Sequence, residues 1–190
     1  MISKNTRRLI IRKPLKTDWR EIHSLIDKNV TKNFFTPYPY LEKHSKNLID
    51  YAIKEWSKNS YEFIIQEKDT KEIIGMAGVK KIDKFNKSSY LFFWVGSKYR
   101  NKGYALESIS EILDFWFNGL KMRKLISEVA TFNIPSNKLH KKLGMKLEGV
   151  KRKEYLNPFS KEYADMNLYG IFKDEWLKVN LKLKEVINKK

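Results

Sequence analysis

The chain has 190 residues, 42% of them hydrophobic and 14% aromatic, so it can close one core of ordinary size and is expected to form a single domain over residues 1–190. The absence of cysteine excludes disulfides, thiolate metal sites and a cysteine nucleophile. A formal charge of +17 would attract a phosphorylated ligand, RNA, a ribosome or an acidic protein, although lysines scattered over solvated faces by coding bias give the same number. No stretch approaches the ~20 uncharged apolar residues of a membrane span, and the start lacks a signal-peptide core, which points to a soluble cytoplasmic protein with no membrane partner.

In chain order, residues 7–13 read as a strand ended by Pro14, with Leu9 and Ile11 alternating against Arg8 and Arg12. Thr17 or Asp18 can cap a first helix, Asp18 with Glu21 as a capping box, and Trp19, Ile22, Leu25 and Ile26 share one face until about Asn29. Residues 33–40 (NFFTPYPY) hold two prolines among aromatics, which predicts an extended loop. A second helix over 41–59 buries Leu41, Leu48, Ala52 and Trp56. Residues 61–66 and 73–80 form a hairpin around Lys68-Asp69-Thr70-Lys71, and 89–95 (SYLFFWV) suits a central strand covered on both faces.

Residues 104–117 resume helical periodicity with Leu106, Ile109, Leu113 and Phe117 on one side, and Asn118 and Gly119 are expected to end that helix as left-handed caps. A strand over 124–130 precedes a short helix over 133–143, with Pro135 in its first turn and Gly144 at its end. Two strands over 145–155 and 163–172 join through the loop at Asn157-Pro158, and a last helix over 174–187 carries Trp176, Val179 and Leu183. The order βααβββαβαββα, with neither repeat nor linker, belongs to one mixed α+β domain.

Chemistry concentrates where strand 89–95 runs through Arg100-Asn101-Lys102-Gly103-Tyr104-Ala105 into a helix. Gly103 lets the backbone approach a ligand, the first N–H groups of the helix are unpaired, and Arg100 and Lys102 add charge, so a diphosphate fits there. Arg100-x-x-Gly103-x-Ala105 resembles the acyl-CoA pyrophosphate motif of the GNAT acetyltransferases. Asn133-Ile-Pro-Ser136-Asn137, Lys142-Leu-Gly144-Met145 and Glu148-Gly149 are similar to the N-x-x-S, K-L-G-F and E-G elements of its ribosomal-protein (RimJ and RimL) branch. The opening residues 8–12, the Pro37-Tyr38-Pro39 loop and the closing run 165–176 extend the resemblance over nearly the whole chain.

That resemblance implies a twisted, mostly antiparallel GNAT sheet of about seven strands flanked by helices, with the fourth and fifth strands, 89–95 and 124–130, splayed around acetyl-CoA. Main-chain groups of Phe93, Trp94 and Val95 would pair with the pantetheine arm. The N–H groups of Arg100, Asn101, Lys102, Gly103, Tyr104 and Ala105 would hold the diphosphate, and Asn133 would reach the pantetheine from the other side. Acetyl-CoA is the implied acetyl donor, and no metal is expected.

Acetyl transfer to an amine requires a neutral nucleophile, a site for the oxyanion and a proton for the departing thiolate. A main-chain N–H near Val95, left without a sheet partner by the splay, suits the oxyanion. Many GNAT enzymes carry a proton-donating tyrosine seven residues after the Asn133 position. His140 stands there, able to donate if its surroundings raise its pKa, and Ser136 one turn earlier is the other donor. His140 can equally sit exposed among Lys138, Lys141 and Lys142. The branch's glutamate at the start of the fourth strand is replaced by Ser89-Tyr90, leaving Glu128 and Glu154 as carboxylate candidates for the base. His23 and His44 read as surface residues with no second ligand near them.

The acceptor pocket is expected between the first loop, with Phe34, Phe35, Pro37, Tyr38 and Tyr40, and residues 155–163 of the last hairpin, beginning at Tyr155. The leading acceptor is a protein N-terminal α-amino group of ribosomal-protein type. The alternatives are a small amine (an antibiotic, a polyamine or an amino acid) and a non-catalytic protein that keeps the CoA fold and binds RNA or the ribosome. The densest basic run, Lys138, Lys141, Lys142, Lys146, Lys151, Arg152 and Lys153, is the candidate surface for ribosome or RNA association, with the chain as a monomer or homodimer.

Overall fold

The computed structural model describes residues 3–34 and 36–188, so Phe35 lies outside the described residues. One sheet contains β1 (Ser3–Asn5), β2 (Leu9–Arg12), β3 (Ser60–Glu67), β4 (Ile73–Asp83), β5 (Ser88–Val95), β6 (Lys124–Ala130), β7 (Lys146–Leu156) and β8 (Tyr163–Phe172). Their spatial order is β1-β2-β3-β4-β5-β6-β8-β7. Around the sheet lie α1 (Trp19–Leu25), α2 (Lys28–Phe34), α3 (Glu42–Lys54), α4 (Tyr104–Asp114), α5 (Ile134–Lys142) and α6 (Lys173–Asn188). The strand beyond the expected seven is β1, three residues that pair antiparallel with β2 from Ser3↔Arg12 to Asn5↔Ile10.

Neighbouring strands are antiparallel except β5 and β6, which run parallel because the chain crosses over through α4 between them. That pair is bonded only at Ser88↔Lys124, Ser89↔Leu125 and Tyr90↔Ile126. Beyond it, β5 stays paired with β4 as far as Gly75↔Val95, while β6 follows β8 as far as Ala130↔Met166, so the sheet opens between them.

Side-chain alternation on β5 separates two faces. Phe92 and Trp94 meet the ring of Phe34 on α2, whereas Phe93 meets His140 on α5. Phe63 shares the Phe93 face through Ala77 and packs on Phe115 at the end of α4. Between α4 and α6, Asp114 accepts from Trp176 Nε1 (2.9 Å), Asn180 Nδ2 (2.7 Å) and Lys184 Nζ (2.6 Å).

Several local expectations are corrected. Residues 28–34 form α2 instead of a helix end and loop, because the Asp27 carboxylate accepts the Val30 N–H at 2.9 Å and starts a new helix. Asp18 does not cap α1 with its side chain. Its carboxylate takes both guanidinium nitrogens of Arg12, at 2.8 and 3.0 Å, and the Leu15 N–H. Leu41 is 44% exposed, and Ile49 and Ala52 form the buried side of α3.

Neither Asn118 nor Gly119 is left-handed. α4 ends in a wide π turn over Phe115–Gly119, and the positive φ, 56°, falls at Lys121. His23 and His44 are not free surface residues, since both rings pack on Tyr40, at 6.0 and 5.4 Å, and His44 Nδ1 accepts the Leu41 N–H.

Candidate functional site

Where β5 and β6 part, a cleft of about 580 Å³ opens. Its β5 edge is made of main-chain groups. The Gly96 N–H bonds the Ile74 carbonyl of β4, so alternation along the strand turns Phe93 and Val95 the other way, into the gap. Two contacts agree with this orientation: Ser127 Oγ of β6 approaches the Leu91 carbonyl, and Arg100 Nε the Val95 carbonyl, each at 3.4 Å.

The floor is the turn into α4. Gly103 is its N-cap with φ 83°, a left-handed conformation that side chains resist, and Asn101 just before it has φ 63°. Arg8 of the β1–β2 turn holds this floor. Its NH1 donates to the Lys102 carbonyl at 3.0 Å, and its Nε and NH2 grip Glu107, itself 2% exposed, at 2.8 and 2.7 Å. With that carbonyl drawn to Arg8, the N–H of the same planar peptide, at Gly103, points the opposite way.

The opposite wall is the start of α5. Asn133 caps it, accepting the Ser136 N–H, and Pro135 fills the first turn. Gly144 closes the segment at φ 81°, and a Cβ there would approach Val179 to 2.8 Å.

Most of the expected cofactor residues converge here: Phe93, Trp94, Val95, Arg100, Asn101, Gly103, Tyr104, Ala105 and Asn133 line the cleft. Lys102 does not, since its carbonyl is held by Arg8 and its ammonium lies 5.8 Å from the Tyr99 ring. The Tyr104 hydroxyl is bonded to Glu67, which pushes its pKa up to about 12 and leaves its main chain free for a ligand. Arg8, Tyr99, Leu139 and Lys142 also line the cleft and were not among the expected site residues: Arg8, Leu139 and Lys142 are distant from residues 95–105 in the chain, and Tyr99 falls between the strand and the glycine turn.

The expected catalytic residues separate. Ser136 lines the cleft. His140 does not, and it is fully buried behind Phe93 and stacked on Tyr169 at 5.1 Å. Its Nδ1 meets the Ser136 carbonyl at 2.7 Å and its Nε2 meets Ser127 Oγ at 2.8 Å. Burial is the main cause that lowers its pKa to about 4, so the expectations of a raised pKa and of an exposed ring are both corrected. A carbonyl can only accept, which puts the single proton of the neutral ring on Nδ1 and leaves Nε2 accepting from Ser127. Glu128 binds Lys151 at 2.6 Å, Glu154 meets the same ammonium at 3.5 Å, and neither lines the cleft.

Phe34 lines the cleft from α2, but Tyr38 and Tyr155 are exposed outside it. Tyr38 packs 4.3 Å from Phe159, which brings the first loop against the last hairpin as expected. Another buried carboxylate, Glu62 on β3, is pushed up to about 7, chiefly by burial and against the pull of Lys80. It too lies off the lining.

The cations Arg8, Arg100 and Lys142 line the cleft, and no carboxylate does among the described residues. Among the described residues no helix is long and apolar enough to cross a membrane. The family model for the acetyltransferase (GNAT) domain matches residues 8–146. The uncharacterised N-acetyltransferase YnaD of Bacillus subtilis (strain 168) is 31% identical over 90% of this chain and 97% of its own. The ribosomal-protein-serine acetyltransferase of Escherichia coli (strain K12) is 26% identical over 57% of this chain and 58% of its own. A solved spermidine N-acetyltransferase of Vibrio cholerae, in complex with CoA and spermine, superposes with a TM-score of 0.80 over 90% of this chain and 99% of its own, at 22% identity. An opened β5–β6 pair above a left-handed glycine at the start of α4, found in a chain that this family model spans for most of its length, makes the protein a member of the GNAT family of N-acetyltransferases.

Proposed function

We propose that this enzyme acetylates the α-amino group of a protein N-terminus, with acetyl-CoA as donor. The observation that carries the acceptor class is the charge of the cleft, whose lining has Arg8, Arg100 and Lys142 but no carboxylate among the described residues. Without a carboxylate to strip its proton, the acceptor must lose that proton to water. An α-amino group, with pKa near ~8 against ~10.4 for a lysine-type amine, is neutral roughly 200-fold more often at neutral pH.

The residues fit acetyl-CoA, which supplies an activated thioester. The gap-facing main chain of Phe93 and Val95 pairs with the pantetheine amides, and the N–H groups from Gly103 to Ala105 hold the diphosphate with Arg100 and Lys142 beside them. Asn133 bounds the arm from the α5 side. The Phe93 N–H, farther along β5 from the diphosphate, stabilises the oxyanion, a role that a preorganised main-chain donor fills without side chains. Ser136 Oγ hydrogen-bonds the departing sulfur while solvent protonates it. Neutral His140, with Nε2 already occupied, orders the Ser136 turn from behind.

Micromolar acetyl-CoA is expected to raise the melting temperature of the parent protein and to leave a Gly103→Trp variant unshifted. A thiol-release screen over peptides with varied N-termini and a panel of small amines decides the acceptor. Turnover of peptides blocked only by prior N-terminal acetylation supports the proposal, and turnover confined to small amines overturns it.

A further inference from the structure

The α2 side of the cleft holds a donor with nothing to bond. Trp94 is 5% exposed, lines the cleft and packs 6.4 Å from the ring of Phe34. Its indole Nε1 is buried and has no hydrogen-bond partner among the described residues. Two other buried tryptophans differ in this respect: Trp116 donates to the Lys124 carbonyl at 3.2 Å and Trp176 to Asp114 at 2.9 Å. Leaving a buried donor unpaired is unfavourable, a cost that an occupant bearing an acceptor removes.

The chemistry of that occupant is constrained. An indole nitrogen donates only, so the partner must offer a lone pair. Trp94 projects from β5 on the face opposite Phe93, toward α2 and away from α5, so its donor lies on the side of the sheet that carries the first loop. A protonated polyamine presents only donors. An α-amino group attached to a peptide carries a carbonyl oxygen two bonds beyond its own α-carbon.

Resting on the α-amino reading above, we infer that Trp94 is the specificity-determining donor of the acceptor site, its indole N–H bonding the first carbonyl oxygen of the acceptor and selecting α-amino amides over simple amines. The test is a pair of acceptors that differ only in that group, phenylalaninamide and 2-phenylethylamine, titrated by calorimetry into the protein saturated with CoA. The parent binds the amide more tightly, and Trp94→Phe reduces this preference ~10-fold while shifting 2-phenylethylamine by no more than about twofold, the size expected for one buried hydrogen bond. Trp94→Gln, which keeps an N–H donor, retains part of the preference and separates donation from packing.

An equal loss for both amines, a preference unchanged in Trp94→Phe, the same loss in both variants, or no preference in the parent each overturns the inference. The two readings fail separately. If peptides are not acetylated but the preference collapses as stated, the N-terminal assignment falls and the donor role stands. If peptides are acetylated and the preference is unmoved, the donor role alone falls.

Discussion

His140 shows how burial converts a plausible proton donor into a structural group. Its imidazole is enclosed by Phe93, Tyr169, Ser127 and the Ser136 carbonyl, and burial is the leading cause of the fall in its pKa from 6.5 to about 4. Between those values the unfolded chain binds a proton that the folded chain refuses. Stability is therefore fully present above about pH 6.5 and is lost as pH falls toward 4. At ~1.4 kcal/mol per tenfold change in proton affinity, this one group removes roughly 2 kcal/mol between pH 7.5 and pH 5. Urea unfolding at the two pH values should show the parent losing roughly 2 kcal/mol relative to His140→Phe, whose ring cannot titrate and which keeps every other titrating group; the same pH dependence in both would contradict the assignment. Glu62 has the opposite sign. Its pKa, raised to about 7 from 4.5, makes stability fall as pH rises through that interval.

Among the elements, α4 does two jobs with its two ends. Its N-terminus lines the cleft, while Asp114 at its other end ties it to α6 by accepting from Trp176, Asn180 and Lys184. Trp176 is 0% and Asn180 6% exposed, so removing the carboxylate strands two buried donors. Asp114→Ala is expected to destabilise by about 2–4 kcal/mol in denaturant titration, and to weaken acetyl-CoA binding far less, because the cleft is built at the other end of the helix. A loss below ~0.5 kcal/mol would mean that water replaces the carboxylate there. The same logic explains why α2 escaped sequence analysis. Seven residues carry too little periodicity to register, and the Asp27 cap, the burial of Val30 and the contacts of Phe34 with Phe92 and Trp94 hold it.

For the whole molecule, the folded structure thins the basic run singled out in the sequence. Lys146 is paired with Glu175 and Lys151 with Glu128, each at 2.6 Å, while Lys138, Lys141, Arg152 and Lys153 remain exposed. Replacing those four by glutamate should leave acetylation of a short neutral peptide within about twofold. It should weaken association with RNA-rich particles and lower its salt slope, as expected for phosphate contacts. An unchanged slope would make the +17 charge compositional.

The sequence by itself determined the order of the strands and helices other than β1 and α2, because period, turn chemistry and capping are local properties, and the resemblance of its motifs to a known family pointed to Arg100, Gly103, Ala105 and Asn133, which line one cleft. Strands 124–130 and 163–172 were legible to the residue. Tertiary structure alone decided which groups share the cleft. Arg8 reaches Lys102 across 94 positions, the Trp94 indole is left without an acceptor among the described residues, and His140 is sealed away from its neighbouring lysines. Burial and partner identity depend on residues far apart in the chain, and these set a proton's affinity or leave a donor unpaired.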